Sequence, residues 1–167
     1  MSSPSSGHVV GRQEERAGAS AGMSALDHPT PPAALQRFGP LGGRVLLSMI
    51  FLMSGVMKVL DWSGTAEKMA SEGMALVPLF LAGAIAFELV GGLSVLLGCY
   101  ARLGALALVV FLIPTTLIFH DFWAYQGMEQ QNQMQHFMKN LTIMGGLLVV
   151  TGLGPGRFSI DSRQGRA

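Results

Sequence analysis

Four long apolar stretches, each broken by very few charges, limit what this chain can fold into more than any other feature. A helix crosses the ~30 Å hydrocarbon layer of a bilayer with about 20 mostly apolar residues. Allowing for tilt, that requirement is met by residues 43–60 (GRVLLSMIFLMSGVMKVL), 76–99, 102–121 and 136–153, the last stopped by Gly154-Pro155-Gly156. The apolar runs are continuous, whereas the strands of a membrane barrel alternate apolar with polar residues. The predicted fold is therefore all-α, an integral membrane four-helix bundle. Only Tyr100, Ala101 and Arg102 separate the second span from the third, which forces an antiparallel hairpin. The other two connections, from Asp61 to about Ala75 and from Asp121 to about Gln135, are longer and read as loops. Long loops on one side of a short-looped bundle are where a site or a docking surface is expected.

Composition agrees. The chain is 50% hydrophobic and 13% charged, with a mean hydropathy of +0.44, whereas soluble domains carry about 25% charged residues. A net charge of +1 gives no basic field for nucleic acid. A single cysteine, Cys99, excludes an internal disulfide and a C-x-x-C redox pair, which argues against a thiol-oxidising membrane enzyme of the quinone-linked disulfide type. Residues 1–42 differ from the rest: they are rich in Ser, Pro, Gly and Ala, and include Pro29, Pro31 and Pro32. Such a segment buries too little apolar surface to offset its ordering entropy and reads as a disordered polar tail. It lacks the apolar core of a cleavable signal peptide, and Met23 is an alternative start. Residues 162–167 form a short C-terminal tail.

Lys and Arg concentrate on the cytoplasmic side of membrane helices. With the N-terminus inside, Arg37, Arg44, Arg102, Arg157, Arg163 and Arg166 fall on the inner flanks and Lys68 alone in an outer loop. Both termini are thus expected to be cytoplasmic. Trp62 closes the first span, and Phe122, Trp123 and Tyr125 follow the third as an interfacial aromatic edge.

Ionisable groups inside a span are costly and each is a functional candidate. Glu88 is the clearest, mid-span and about 15 Å from Pro78 along a helix axis. Gly91 and Gly92, one turn on, admit close approach of another backbone. The expected partners lie toward the outer leaflet: Lys58, with Ser54 and Gly55 on the same face; His120 and Asp121 at the end of the third span; and His136, Lys139 and Asn140 on one face of the fourth. Pro114, inside the third span, leaves a carbonyl near Val110 free. Together these form one inward-facing polar site of proton-relay or ligand-contact groups. The plainer alternative is interhelical hydrogen bonding worth ~1 kcal/mol per pair, with Lys58 and Lys139 snorkelling to the interface. No H-x-x-H or H-E-x-x-H spacing is present, so no metal site is expected.

The segments RVLLSMIFLMSGVMKVLDW, FELVGGLSVLLG, IFHDFW and QHFMKNLTIMGGLLVV, with the closing GPGRFSID, resemble the DoxX family of small membrane proteins over residues 43–161. The resemblance implies a four-helix protein of the bacterial cytoplasmic membrane. It also implies membership of redox-linked or oxidative-stress assemblies, one relative being a small subunit of a thiosulfate:quinone oxidoreductase. Family-typical polar and aromatic positions fall on Lys58, Glu88, His120, Phe122, Trp123, His136, Lys139 and Asn140.

Three functions remain open on these grounds. The first is a small subunit of a redox-linked complex that meets a quinone near the outer leaflet. Phe122 and Trp123 would then form part of the slot, His120, His136 or Lys139 would donate hydrogen bonds, and Glu88 would relay protons. No covalently held cofactor is implied. The other two are a non-catalytic scaffold for a soluble oxidoreductase and a small proton-coupled transporter. Expected partners are the lipid bilayer, an oxidoreductase subunit and a second copy of the chain. A self-contained enzyme is not expected, because no nucleophile–base pair or phosphate loop is present.

Overall fold

A computed structural model describes residues 32–166. The polar tail before them, including Met23, lies outside the described residues. Four long helices dominate: α1 (Ala33–Leu60), α3 (Val77–Leu97), α4 (Ala101–Phe119) and α5 (Gly127–Leu153). Two short ones join them, α2 (Trp62–Ser71) between α1 and α3, and α6 (Ile160–Arg163) near the C-terminus, with a 3-10 turn at Phe122–Ala124.

Three of the long helices, α1, α3 and α4, are long and apolar enough to cross a membrane. The fourth, α5, is polar in its first half. It nevertheless runs antiparallel beside α4 over the full length of that helix. Arg102 at the start of α4 donates to the Thr151 and Gly152 carbonyls near the end of α5. At the opposite end His120 meets Gln133. Outward-facing Leu46 and Met53 on α1, Leu79 and Val90 on α3, Leu103 and Val110 on α4, and Leu148 and Val149 on α5 are exposed. Apolar side chains turned outward all round a bundle are the pattern of helices solvated by lipid.

Contacts are densest between α1 and α3, α4 and α5, and α3 and α4, and sparse along the α1–α5 seam. The buried core runs through Phe51, Val95, Ala105, Leu108, Leu112 and Leu147. Close approach is made possible by glycines. A Cβ on Gly91 would come within 2.8 Å of Leu108 Cγ, and one on Gly55 within 2.7 Å of Leu89 Cδ2.

The helices overrun the apolar stretches that define them. α1 starts at Ala33, ten residues before the apolar run, and its 28 residues reach about 42 Å at 1.5 Å per residue. The added turns have a tertiary anchor: Phe38 stacks on Phe158 with centroids 5.3 Å apart, and Arg37 lies over both rings. Pro40 removes one backbone donor without ending the helix. α5 likewise starts at Gly127, so most of the connection read as a loop from Asp121 to Gln135 is helical. The Asp61–Ala75 connection carries α2, capped by Asp61, whose carboxylate accepts from Gly64 N. The hairpin between α3 and α4 is as tight as the sequence requires, turning on left-handed Gly98 and Tyr100.

One end of the bundle is tied by charged side chains that bond to backbone. Arg44, 2% exposed, donates to the carbonyls of Pro155, Leu96 and Phe158. Asp161 accepts from Tyr100 N and Ala101 N, both at 2.9 Å. The closing GPGRFSID segment is thus fastened across the α3–α4 hairpin. Sequence reading took Arg44 only as a charge on the inner flank and gave Asp161 no role.

Candidate functional site: an intramembrane cavity with a buried ion pair

The other end holds a cavity of about 870 Å³ between the second half of α1, α2, the first half of α3, the second half of α4 and the middle of α5. Most of its wall is apolar, with Phe51, Phe80, Phe87, Phe111 and Phe119 contributing rings. Phe87 and Phe111 stack with centroids 6.0 Å apart.

Set into this wall is an ion pair. Lys58 Nζ donates to Glu88 Oε1 at 2.9 Å and to Ser54 Oγ at 2.6 Å. Ser54 Oγ in turn donates to the same Glu88 oxygen at 3.0 Å. Helical spacing places Ser54 and Lys58 one turn apart on one face of α1. Gly55, between them, lets α3 approach until a Cβ there would lie 3.4 Å from Glu88 Cβ. Glu88 is 4% exposed, and its second oxygen, Oε2, is buried without a partner. Lys58 retains about a quarter of its side-chain surface and lines the cavity. Two of its three ammonium protons are engaged, so one donor is left over.

Of the other expected residues, His120, Lys139 and Asn140 line the cavity, whereas His136, Asp121, Phe122 and Trp123 do not. Asn140 is buried and donates to Thr116 Oγ1 at 3.1 Å, which joins α5 to α4 inside the bundle. That bond engages one amide proton and leaves a second donor and the carbonyl oxygen over. Lys139 Nζ donates to His136 Nδ1 at 3.0 Å, and the His136 ring stacks on His120 at 5.0 Å between centroids. His120 Nδ1 donates to Gln133 Oε1 at 2.9 Å, and Gln133 Nε2 to Glu129 Oε1 at 2.9 Å. Gln133 belongs to a polar run that carries no motif; only the helical start of α5 brings it to His120.

The aromatic edge behaves differently from expectation. Phe122, Trp123 and Phe137 pack edge-to-face on one another, 5.2–6.1 Å apart, and form a cluster of their own. The ring-bearing wall of the cavity comes instead from mid-helix phenylalanines, which a sequence presents only as further apolar residues of a span. At the same end, Glu72 at the close of α2, together with burial, Asp121 and Glu129, raises the Tyr125 hydroxyl above its ordinary pKa.

A bundle of long, lipid-solvated helices around a buried lysine–glutamate pair defines a small integral membrane protein with a polar intramembrane site. The chain belongs to the DoxX family, whose pattern matches residues 39–121. It is 37% identical over 127 residues to the inner membrane protein YqjF of Escherichia coli, covering 76% of this chain and 92% of that one. It is 30% identical over 120 residues to the inner membrane protein YphA of the same organism, covering 72% and 86%. No solved structure matches the chain.

Proposed function

We propose that this chain is the small membrane subunit of a redox-linked complex and that its cavity receives the ring of a quinone. The observation that carries this reading is the buried Lys58–Glu88 pair set in an otherwise apolar, phenylalanine-lined cavity. A ligand with an apolar body and a few polar atoms is what such a site suits. Lys58 on α1 and Asn140 on α5 both line the cavity and each keeps a donor over, so each would hold one quinone carbonyl. Glu88, bonded through one oxygen only, would hold or pass a proton. A bound quinone would supply two-electron, two-proton exchange with the membrane pool. The sequence contains no cysteine pair, so electrons would pass to or from a partner subunit.

The inner membrane location of the two bacterial relatives supports placing this chain in a bacterial cytoplasmic membrane. The arginines at the Arg44–Asp161 end support a cytoplasmic position for that end, which sets the cavity toward the outer leaflet.

Titration of the protein in nanodiscs with a short-chain quinone, followed by difference infrared spectroscopy, tests the proposal. The expected result is saturable binding that moves the Glu88 carboxyl band, identified by its loss in Glu88→Gln. Asn140→Leu is expected to weaken binding about tenfold, the equivalent of one hydrogen bond. A folded protein that binds no quinone, or a carboxyl band that ignores it, overturns the proposal and leaves the scaffold reading in its place.

A further inference from the structure

At the mouth of the cavity, basic side chains gather from three elements. Lys68 on α2, His120 at the end of α4 and Lys139 on α5 all line the opening. His136 stacks on His120 at 5.0 Å and accepts from Lys139 at 3.0 Å. Lys68, Lys139 and His120 all lie near enough to His136 to act on it electrostatically, as does Glu129. Of the acids at this end only Asp61 and Glu88 line the cavity, and both are engaged: Glu88 pairs with Lys58 and Asp61 caps α2; Glu67, Glu72, Asp121 and Glu129 lie outside its lining. Lys58–Glu88 is the only ion pair among the described residues. Two lysines and two histidines thus converge beside an apolar space, with no carboxylate at ion-pair distance among the described residues.

The two lysine ammoniums repel one another unless an anion joins them, neutral imidazoles can donate to the same anion, and basic pockets between membrane helices take lipid headgroups. The apolar wall below has no use for a free oxyanion but suits an acyl chain. We propose that the cavity mouth binds the anionic headgroup of a membrane phospholipid, held by Lys68 and Lys139 with His120 and His136, while its chain enters the space beneath. The lipid reading does not rest on the quinone reading and holds without it, although the acyl chain and a quinone ring would share the apolar space.

Nanodiscs of phosphatidylcholine containing a minor share of phosphatidylglycerol, followed by native mass spectrometry of the released protein, test this. Retention of phosphatidylglycerol over phosphatidylcholine is expected. Lys68→Gln/Lys139→Gln is expected to weaken it about tenfold or more, since each lysine contributes to headgroup attraction. Arg157→Gln/Arg163→Gln, at the opposite end, is expected to leave it unchanged. Equal retention of both lipids, or undiminished retention in the lysine variant, overturns the proposal. So does stabilisation by inorganic phosphate alone, in neutral detergent, that matches phosphatidylglycerol, since the ligand is then a free oxyanion. If the double variant does not fold, Lys68→Gln alone carries the test, because Lys68 is exposed and its side chain makes no hydrogen bond among the described residues.

Discussion

Lys58 and Glu88 meet across two helices, and Ser54 bonds to both of them. Removing one member of a buried pair leaves the other charge uncompensated, which costs 3–5 kcal/mol when burial is complete. The Lys58 ammonium is about a quarter exposed, so water offsets part of that. Lys58→Met is expected to destabilise the protein by about 2 kcal/mol. Adding Glu88→Leu should recover most of the loss, because an apolar pair of similar volume is close to neutral in such places. Reversible unfolding in mixed micelles, run as a double-mutant cycle, measures this. If both single variants match the wild type, the pair contributes nothing to stability.

At the level of elements, small residues set how closely the helices approach. Gly91 admits Leu108, and a Cβ there would need to displace Leu108 Cγ from 2.8 Å; Gly145 faces open space, with nothing within 4 Å. Gly91→Ala is therefore expected to cost about 1–3 kcal/mol through overpacking, whereas Gly145→Ala should be neutral or gain up to ~1 kcal/mol from helix propensity. Unfolding midpoints of the two variants decide the matter, and equal effects would mean that the α3–α4 contact yields easily. The same elements show what sequence can and cannot reveal. Four helices, the tight hairpin and the polar residues Lys58, Glu88, His120, Lys139 and Asn140 were legible, because apolar run length and polar groups within or at the ends of a span are strong signals. The first turns of α1 and α5 were not. Phe38 on Phe158 and Gln133 on His120 are tertiary contacts, and polar or proline-containing turns look like loops until a partner is present. The phenylalanine wall was hidden for the opposite reason: in an apolar span, an inward-facing ring and a lipid-facing ring look the same.

Across the whole molecule, the two ends are built on different principles. At the Arg44 end, charged side chains hold backbone. Arg44 takes three carbonyls, Asp161 takes two amides, and Arg102 fastens the end of α5. A Cβ on Gly98 would collide with Ser159 and with the Arg44 guanidinium, so even the hairpin turn is shaped around this lock. Tyr100 sits in left-handed backbone, φ 50°, which is unfavourable for a residue with a Cβ; the charge-assisted bond from its N–H to Asp161 offsets that cost. At the cavity end, contacts run mostly from side chain to side chain around open space, and α2 is held by few neighbours. Segments with few buried apolar contacts open first. Hydrogen exchange in nanodiscs is therefore expected to be fastest in α2 and in the turn at Phe122–Ala124, and slowest around the α3–α4 hairpin. Asp161→Ala leaves two amides without acceptors and is expected to cost about 3 kcal/mol, with faster exchange at the hairpin. Because the lock and the ion pair lie at opposite ends, Asp161→Ala and Lys58→Met should add to within about 0.5 kcal/mol. A markedly larger combined loss would show that the lock also holds the cavity in shape. Strict additivity would mean that the cavity end can open and close while the opposite end keeps the helices in register.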